Sequence, residues 1–359
     1  MSILAFLLWR LGTGAFLDGL HVINGGTLFA AFGIGLLTTV FSAWRWCLVA
    51  RGLGIRLPMG NAVADYYRAL FLNAALPGGV LGDVHRAVRH GRDVGDVGRG
   101  VRAVVLERTA GQIVLVAVGV TVLLARPSPA LSHAHLGTIV QAVAAVVAVV
   151  GLVAFIRSRR VPNVAPSTES NNATPSTEST NVTPSTWARA LRRAVSDVRL
   201  GLLARANWPG ILISSAAVLA GHLAMFLVAA RAAGSAAPIA RLAPLMLLAL
   251  LAMAVPVNIG GWGPREGVTA WAFGAAGLSA SLGLTIAVVY GLLAFVASLP
   301  GAGVLVVRWI TRRRAEHARI EHARTEHARI ELARIERTRL GPERESAEVE
   351  RLLQPQAAA

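Results

Sequence analysis

Three pairs of opposite charges stand inside strongly apolar stretches of this sequence, and they are the residues best suited to chemistry. They are Asp83 with Arg86, Glu107 with Arg108, and Arg265 with Glu266. A charge at the centre of a bilayer is costly, so an ionisable residue in an apolar run is by default a functional candidate. The alternative interpretation is mutual ion pairing that holds helices in register, which would also make these charges tolerable there.

Two of these pairs follow a break in a hydrophobic run. The stretch FLNAALPGGVLGDVHR covers residues 71–86 and VPVNIGGWGPRE covers residues 255–266, and both combine proline and paired glycines with charge. Interrupted segments in the two halves of a chain indicate a transporter-like site, and the helix ends that they expose suit an anionic group. A flexible kink or close helix packing is the alternative.

This pattern predicts a site for a lipid headgroup. We expect the arginines to contact a phosphate, and we expect the acids to orient those arginines or to meet a cationic group. The paired glycines let the backbone approach a ligand closely, and two asparagines add hydrogen-bond donors. The predicted site residues are Asn73, Gly78, Gly79, Asp83, Arg86, Glu107, Arg108, Asn258, Gly260, Gly261, Arg265 and Glu266.

Signatures of catalysis and of metal binding are scarce. The chain has no lysine and therefore no Walker A motif, and it has no H-E-x-x-H, no G-x-S-x-G and no paired cysteines. The spacing of His317, His322 and His327 scatters them around a helix, unlike the i,i+4 pair of a zinc helix. We therefore expect no catalytic set, no metal site and no cofactor.

The composition indicates the surroundings in which these elements fold. Of the 359 residues 54% are hydrophobic and only 15% are charged, and the mean hydropathy is +0.57. A soluble domain is less apolar and about a quarter charged. We predict an all-α, polytopic helical membrane protein with about eight hydrophobic segments and two broken or re-entrant helices.

The chain has a net charge of +16, and all 35 of its basic residues are arginines, against 19 acidic residues. In a membrane protein such an excess reports the positive-inside rule and contact with anionic lipids, so we expect lipid partners and no nucleic acid. The arginine-rich segments place both termini in the cytoplasm.

The order of segments predicts two membrane halves. A PST-rich repeat between them has too little apolar surface to fold, and the basic amphipathic helix after it is expected to lie either on the membrane or on the protein's own cytoplasmic face. Residues 282–307 are expected to form one long span. The predicted parts are a first half over 1–160 with a re-entrant segment near 61–86, a linker over 161–186, the amphipathic helix over 187–205, a second half over 206–311 with a break near 255–266, and a charged tail over 312–359.

Several motifs in order resemble one known family. RWCLVARGLG, YYRALFLNAALPGGVLGDVHR, LERTAGQ, PVNIGGWGPREG and SLPG are similar to the lysylphosphatidylglycerol synthase transmembrane (flippase-like) family, over roughly 28–308 without the linker. The resemblance implies a lipid-handling protein of the bacterial plasma membrane. In two-domain members a soluble domain transfers an aminoacyl group from tRNA to phosphatidylglycerol, and no such domain is expected here after residue 308.

The function that this resemblance implies is binding and translocation of a phospholipid or of a polyprenyl-phosphate-linked lipid. One alternative is a membrane-embedded transferase that acts on a lipid carrier, with Asp83 or Glu266 as general base. Another is a scaffold that docks a separate soluble synthase through its basic surface. Enzymatic activity is left open, and transport is favoured.

Overall fold

Every regular element in the described part of the chain is a helix. The structure, a computed structural model, describes residue 19 and residues 21–76, 79–125, 196–202, 204–253 and 263–353, with side chains as far as Ile335. The helices are α1 (Gly25–Gly52), α2 (Met59–Ala75), α3 (Leu81–Asp93), α4 (Val97–Ala125), α5 (Trp208–Ala232), α6 (Ile239–Met253), α7 (Pro264–Ala275), α8 (Ala280–Ser298) and α9 (Pro300–Leu353). The all-α prediction is confirmed.

Four helical stretches are long and apolar enough to cross a membrane, and α6 is a shorter apolar helix. The four stretches are Gly25–Gly52, Val97–Leu123, Trp208–Ala232 and Ala280–Leu332. Several predicted segments lie outside the described residues: the spans at the start of the chain and after residue 125, the linker, and most of the amphipathic helix. The count of about eight hydrophobic segments therefore stays a prediction.

The predicted span over 282–307 lies within one helical stretch, Ala280–Leu332, that is long and apolar enough to cross a membrane. Within it α8 ends at Ser298 and α9 begins at Pro300, and Leu299 between them keeps a right-handed helical conformation with φ −55° and ψ −31°. Proline has no N–H to donate, so one hydrogen bond of the helical ladder is missing there. The chain divides into two compact units at this end, residues 1–304 and residues 305–359. In the second unit the helix runs on through the charged repeat, and its described side chains from 311 to 335 are exposed.

The helical turn that ends α1 is repeated at the end of α5. Gly54 and Gly234 have positive φ angles of 74° and 81°, a conformation that glycine adopts without steric cost. The backbone N–H of each glycine donates to the backbone carbonyl oxygen three residues earlier, that of Arg51 in the first turn and that of Arg231 in the second. A proline then precedes the next helix in both cases, Pro58 before α2 and Pro238 before α6, and every pair keeps the same 180-residue offset.

The later helices repeat as well. Two residues after the end of α3 and of α7 stands a glycine of positive φ, Gly95 and Gly277 respectively. The following helix then packs closely on the one before it through a glycine. A Cβ on Gly100 in α4 would lie 2.6 Å from the backbone of Gly91, and a Cβ on Gly283 in α8 would lie 2.8 Å from the carbonyl oxygen of Thr269. The helices α1–α4 and α5–α8 are therefore two copies of one four-helix arrangement.

The two copies run in opposite directions where they meet. α1 packs along α5, with Gly210 of α5 against Leu48 and Gly221 of α5 against Thr38. Residue numbers fall along one helix as they rise along the other, so these equivalent helices are antiparallel. An internal repeat of inverted direction is typical of membrane transporters.

We predict that a cysteine pair across this contact forms a disulfide. Cys47 is the only cysteine, so Cys47→Ala provides a cysteine-free background. A Cβ on Gly221 would lie 3.7 Å from the Thr38 Cβ, close to the ~3.8 Å typical of disulfides. Thr38→Cys with Gly221→Cys should therefore cross-link on mild oxidation, as seen by a mobility shift.

The matched control for this pair is Thr38→Cys with Leu212→Cys. Leu212 lies on the same helix nine positions earlier, which is roughly 13 Å along the axis. Equal cross-linking of both pairs would contradict the antiparallel packing of α1 on α5.

Candidate functional site

The carboxylate of Glu107 in α4 joins four helices in the interior of the first copy. Its side chain is fully buried. It accepts hydrogen bonds from Arg45 of α1 at 2.6 and 3.0 Å, from Arg86 of α3 at 3.0 Å and from the Tyr66 hydroxyl of α2 at 3.3 Å. A buried charge is stabilised only by partners of this kind, so Glu107 and its arginines depend on each other.

Asp83 links the helices on the two sides of the first break, α2 and α3. It is the third residue of α3, and a carboxylate in a first helical turn is favoured by the helix dipole. It accepts from Arg108 at 2.7 and 2.8 Å, from Arg86 at 3.0 Å and from the Asn73 side-chain amide at 3.0 Å. The Oδ1 atom of the same Asn73 side chain accepts from the Gly82 N–H at 2.7 Å. The end of α2 is thus tied to the start of α3 by side chains.

The guanidinium group of Arg86 lies between two aromatic rings. Its central carbon is 4.4 Å from the Trp46 ring centroid and 4.3 Å from the Tyr66 ring centroid, and its side chain is fully buried. Its Nε and Nη1 atoms have no hydrogen-bond partner among the described residues, and neither has Trp46 Nε1. An unsatisfied buried donor costs about 1–3 kcal/mol, and more when it is charged, so these groups favour an acceptor.

The first cluster carries more positive than negative charge. Three guanidinium groups, those of Arg45, Arg86 and Arg108, share the two carboxylates of Asp83 and Glu107. The Arg108 side chain is 38% exposed, whereas those of Arg45 and Arg86 are buried. The cluster therefore has one accessible cation at its edge and a surplus positive charge, which together favour an anion.

His90 adds no further charge to this surplus. Its ring packs on the Trp46 ring in a T-shaped arrangement, with the ring centroids 5.2 Å apart. Burial lowers the pKa of His90 below the ordinary histidine value, although the carboxylates of Asp93 and Asp65 act in the opposite direction. The ring is therefore neutral at pH 7.

A second cluster stands at the start of α7, after the second break. Glu266 is fully buried and is the third residue of its helix, as Asp83 is of α3. It accepts from the Gly263 N–H at 2.6 Å and from Arg265 Nε at 2.9 Å, with a further contact to Arg265 Nη2. The guanidinium carbon of Arg265 lies 5.1 Å from the Tyr290 ring centroid in α8.

Helix α5 touches both clusters. Ser215 accepts from Arg45 of the first cluster at 3.2 Å. Two helical turns later, His222 Nδ1 is 2.9 Å from the Tyr290 hydroxyl, and Tyr290 lies against Arg265 of the second cluster. The two residues are seven positions apart, so they share one face of α5.

The structure brings most of the predicted residues into these two groups. Asn73, Asp83, Arg86, Glu107 and Arg108 lie together in the first cluster, and Arg265 and Glu266 form the second. Gly79 lies in the first break with a φ of 60°. The remaining predicted residues, Gly78, Asn258, Gly260 and Gly261, lie outside the described residues.

Five residues that complete the clusters were not predicted from the sequence. They are Arg45, Tyr66, Ser215, His222 and Tyr290. Trp44 and Trp46 flank Arg45, a pattern typical of the interfacial end of a span, so nothing in the local sequence indicates that Arg45 is buried. A lone histidine in the apolar run of α5 was the one signal that pointed to His222. Within the described residues, no group of three histidine, cysteine or acidic side chains is arranged to hold a metal ion.

The fold and the site define a class of protein, a multi-pass helical membrane protein with charged clusters buried at two helix breaks. A family model for the lysylphosphatidylglycerol synthase TM region matches residues 1–301, and the chain belongs to this family. The match confirms the resemblance and indicates a function related to membrane lipids. No curated protein and no solved structure matches the chain.

Proposed function

We propose that this protein binds the phosphate of a membrane lipid at the first cluster and moves the lipid between leaflets. The observation that carries the proposal is the surplus guanidinium charge beside the first break, together with buried Arg86 donors that have no acceptor in the described part of the chain. Arginine suits this role because its planar fork matches phosphate geometry. The lipid is a phospholipid or a polyprenyl-phosphate-linked lipid.

The second cluster would receive the lipid in the other half of the repeat. Arg265 and Glu266 lie in the position equivalent to the start of α3, at the end of the second break. Inverted repeats with interrupted helices give a transporter two related entrances to one site. We further propose a bacterial plasma membrane location with both termini in the cytoplasm, on the family resemblance and the arginine distribution.

Transfer chemistry is the weaker candidate. Asp83 accepts from two guanidinium groups and an amide, and a carboxylate held in this way is a poor general base. Glu266 is likewise occupied by Arg265 and the Gly263 N–H. A soluble synthase docked on the basic surface remains a compatible partner.

We predict that Arg86→Ala slows leaflet exchange about ten- to a hundredfold. A charge-assisted hydrogen bond is worth about 1.5–3 kcal/mol, and each 1.4 kcal/mol is a factor of ten. Purified protein in vesicles that contain labelled phosphatidylglycerol would be assayed by the accessibility of the label to a reductant. Arg265→Ala should also slow exchange.

Arg99→Ala is the matched control for this assay, because Arg99 is exposed and pairs with exposed Asp96. It should exchange lipid at the wild-type rate. Arg86→Lys keeps the charge and removes the fork, so it separates recognition from simple charge balance. Unchanged exchange in both Arg86→Ala and Arg265→Ala would reject the site assignment.

A further inference from the structure

His222 contacts the second cluster from α5. Its Nδ1 atom is 2.9 Å from the hydroxyl of Tyr290, which is itself 1% exposed. On the same face of α5, two turns earlier, Ser215 accepts a hydrogen bond from Arg45 of the first cluster at 3.2 Å. One face of α5 is thus in contact with both halves of the repeat.

Tyr290 is held in place from two sides. Its ring lies 5.1 Å from the Arg265 guanidinium carbon on the α7 side. On the α5 side, Phe226 packs on the same ring at 5.2 Å, one turn after His222. The hydrogen bond between His222 and the Tyr290 hydroxyl is therefore a third contact that fixes the position of the ring against Arg265.

The internal repeat shows why this position matters. Tyr290 follows Gly283 by seven residues in α8, and Glu107 follows Gly100 by seven residues in α4. Both glycines make the same close contact with the preceding helix, so Glu107 and Tyr290 occupy equivalent places. In the first copy this place holds a carboxylate that binds arginines, and in the second it holds a phenol that lies against one.

In the second copy, Tyr290 therefore needs another group to hold it in position. A carboxylate orients arginines by charge, whereas a phenol has no charge at pH 7 and depends on its hydrogen bond and packing. His222 supplies that hydrogen bond, and Ser215 on the same face of α5 meets Arg45 of the first cluster. A rigid helix with one contact to each cluster can transmit a displacement between them.

We propose that His222 is a positioning residue that couples the two clusters. Its hydrogen bond holds Tyr290 against Arg265, and α5 links this arrangement to the Arg45–Glu107 pair. The proposal rests on the proposed function for its ligand. The coupling itself exists without a lipid and is measured separately.

The first measurement is made on the lipid-free full-length protein in detergent. Histidine is labelled with ¹⁵N, and the His222 ring signal is identified by its loss in His222→Asn. We expect Arg45→Ala and Arg265→Ala each to shift the His222 ring resonances, while Arg99→Ala leaves them unchanged. An unchanged signal in Arg45→Ala would overturn the coupling, because the first cluster would then not reach His222.

The second measurement is the affinity for dihexanoyl phosphatidylglycerol in detergent. His222→Leu and Tyr290→Phe should each weaken binding about two- to tenfold, the range for one neutral hydrogen bond. Because both remove the same bond, the double variant should bind no more weakly than either single variant. His222→Asn keeps a side-chain donor and acceptor and should restore most of the affinity.

Additive losses in the double variant, or an affinity in His222→Leu equal to that of the wild type, would overturn the positioning role. If the wild-type protein binds no phosphatidylglycerol or other phosphate lipid, the proposed function fails. In that case the resonance shifts still decide whether the two clusters are coupled.

Discussion

Glu107→Gln should lower the free energy of unfolding by about 3–5 kcal/mol, the typical cost of removing one partner from a buried ion pair. Glutamine keeps the shape of the side chain, so the loss of stability results from the missing charge and not from a cavity. Arg45 and Arg86 both donate to this carboxylate, and both are buried. Without this charge, Arg86 would keep Asp83 as its ion-pair partner and Arg45 would keep the Ser215 hydroxyl as its acceptor. The measurement is unfolding in detergent micelles with a denaturing detergent as titrant.

The matched control for Glu107→Gln is Glu321→Gln, which changes an exposed side chain of α9. Exposed substitutions usually change stability by less than about 0.5 kcal/mol. Adding Arg45→Met to Glu107→Gln removes one stranded cation and should recover part of the loss. A loss below about 1 kcal/mol for Glu107→Gln would contradict the central role of this carboxylate.

Gly82→Ala should both destabilise the protein and abolish leaflet exchange. A Cβ on Gly82 would lie 2.1 Å from the carbonyl oxygen of Ala69, which belongs to the backbone of α2 and cannot rotate away. Overpacking costs typically about 1–3 kcal/mol and occasionally more. α3 would have to move away from α2, which would stretch the hydrogen bonds that Asn73 makes to Gly82 and Asp83. Unfolding and leaflet exchange are both measured.

Gly33→Ala provides the comparison for Gly82→Ala. It lies within α1, and a Cβ there would meet nothing within 4 Å. Alanine is the better helix former by up to about 1 kcal/mol, so this variant should be as stable as the wild type or slightly more stable. Wild-type stability and exchange in Gly82→Ala would mean that α2 and α3 do not approach so closely.

Much of the first cluster was predictable because charges in an apolar run are visible without a structure. Asp83, Arg86, Glu107 and Arg108 were selected in this way, and they do lie together. The pairing of these charges was only partly predictable. Of the three pairs that stand close in the sequence, Asp83 with Arg86 and Arg265 with Glu266 do pair. Glu107 instead binds Arg45 and Arg86, and its neighbour Arg108 binds Asp83.

The residues that were missed share a physical cause. Tyr66, His222 and Tyr290 have no unusual neighbours in sequence, and each acquires its role from a partner at least 41 positions away. Arg45 stands between two tryptophans, and tryptophan and arginine are common at a membrane interface. Its burial against Glu107 depends on how α1 packs with α4, which local patterns do not contain.

The amino-acid sequence by itself determined the membrane environment, the helical class, the two breaks and the family, because hydropathy, proline and glycine act locally and need no partner. The tertiary structure decided which charges neutralise one another, that the two copies run in opposite directions, and that α5 touches both clusters. The reason is that ion pairing depends on distances of about 3 Å between atoms on different helices. Such distances are set by how helices pack, and helix packing is decided by the whole bundle at once.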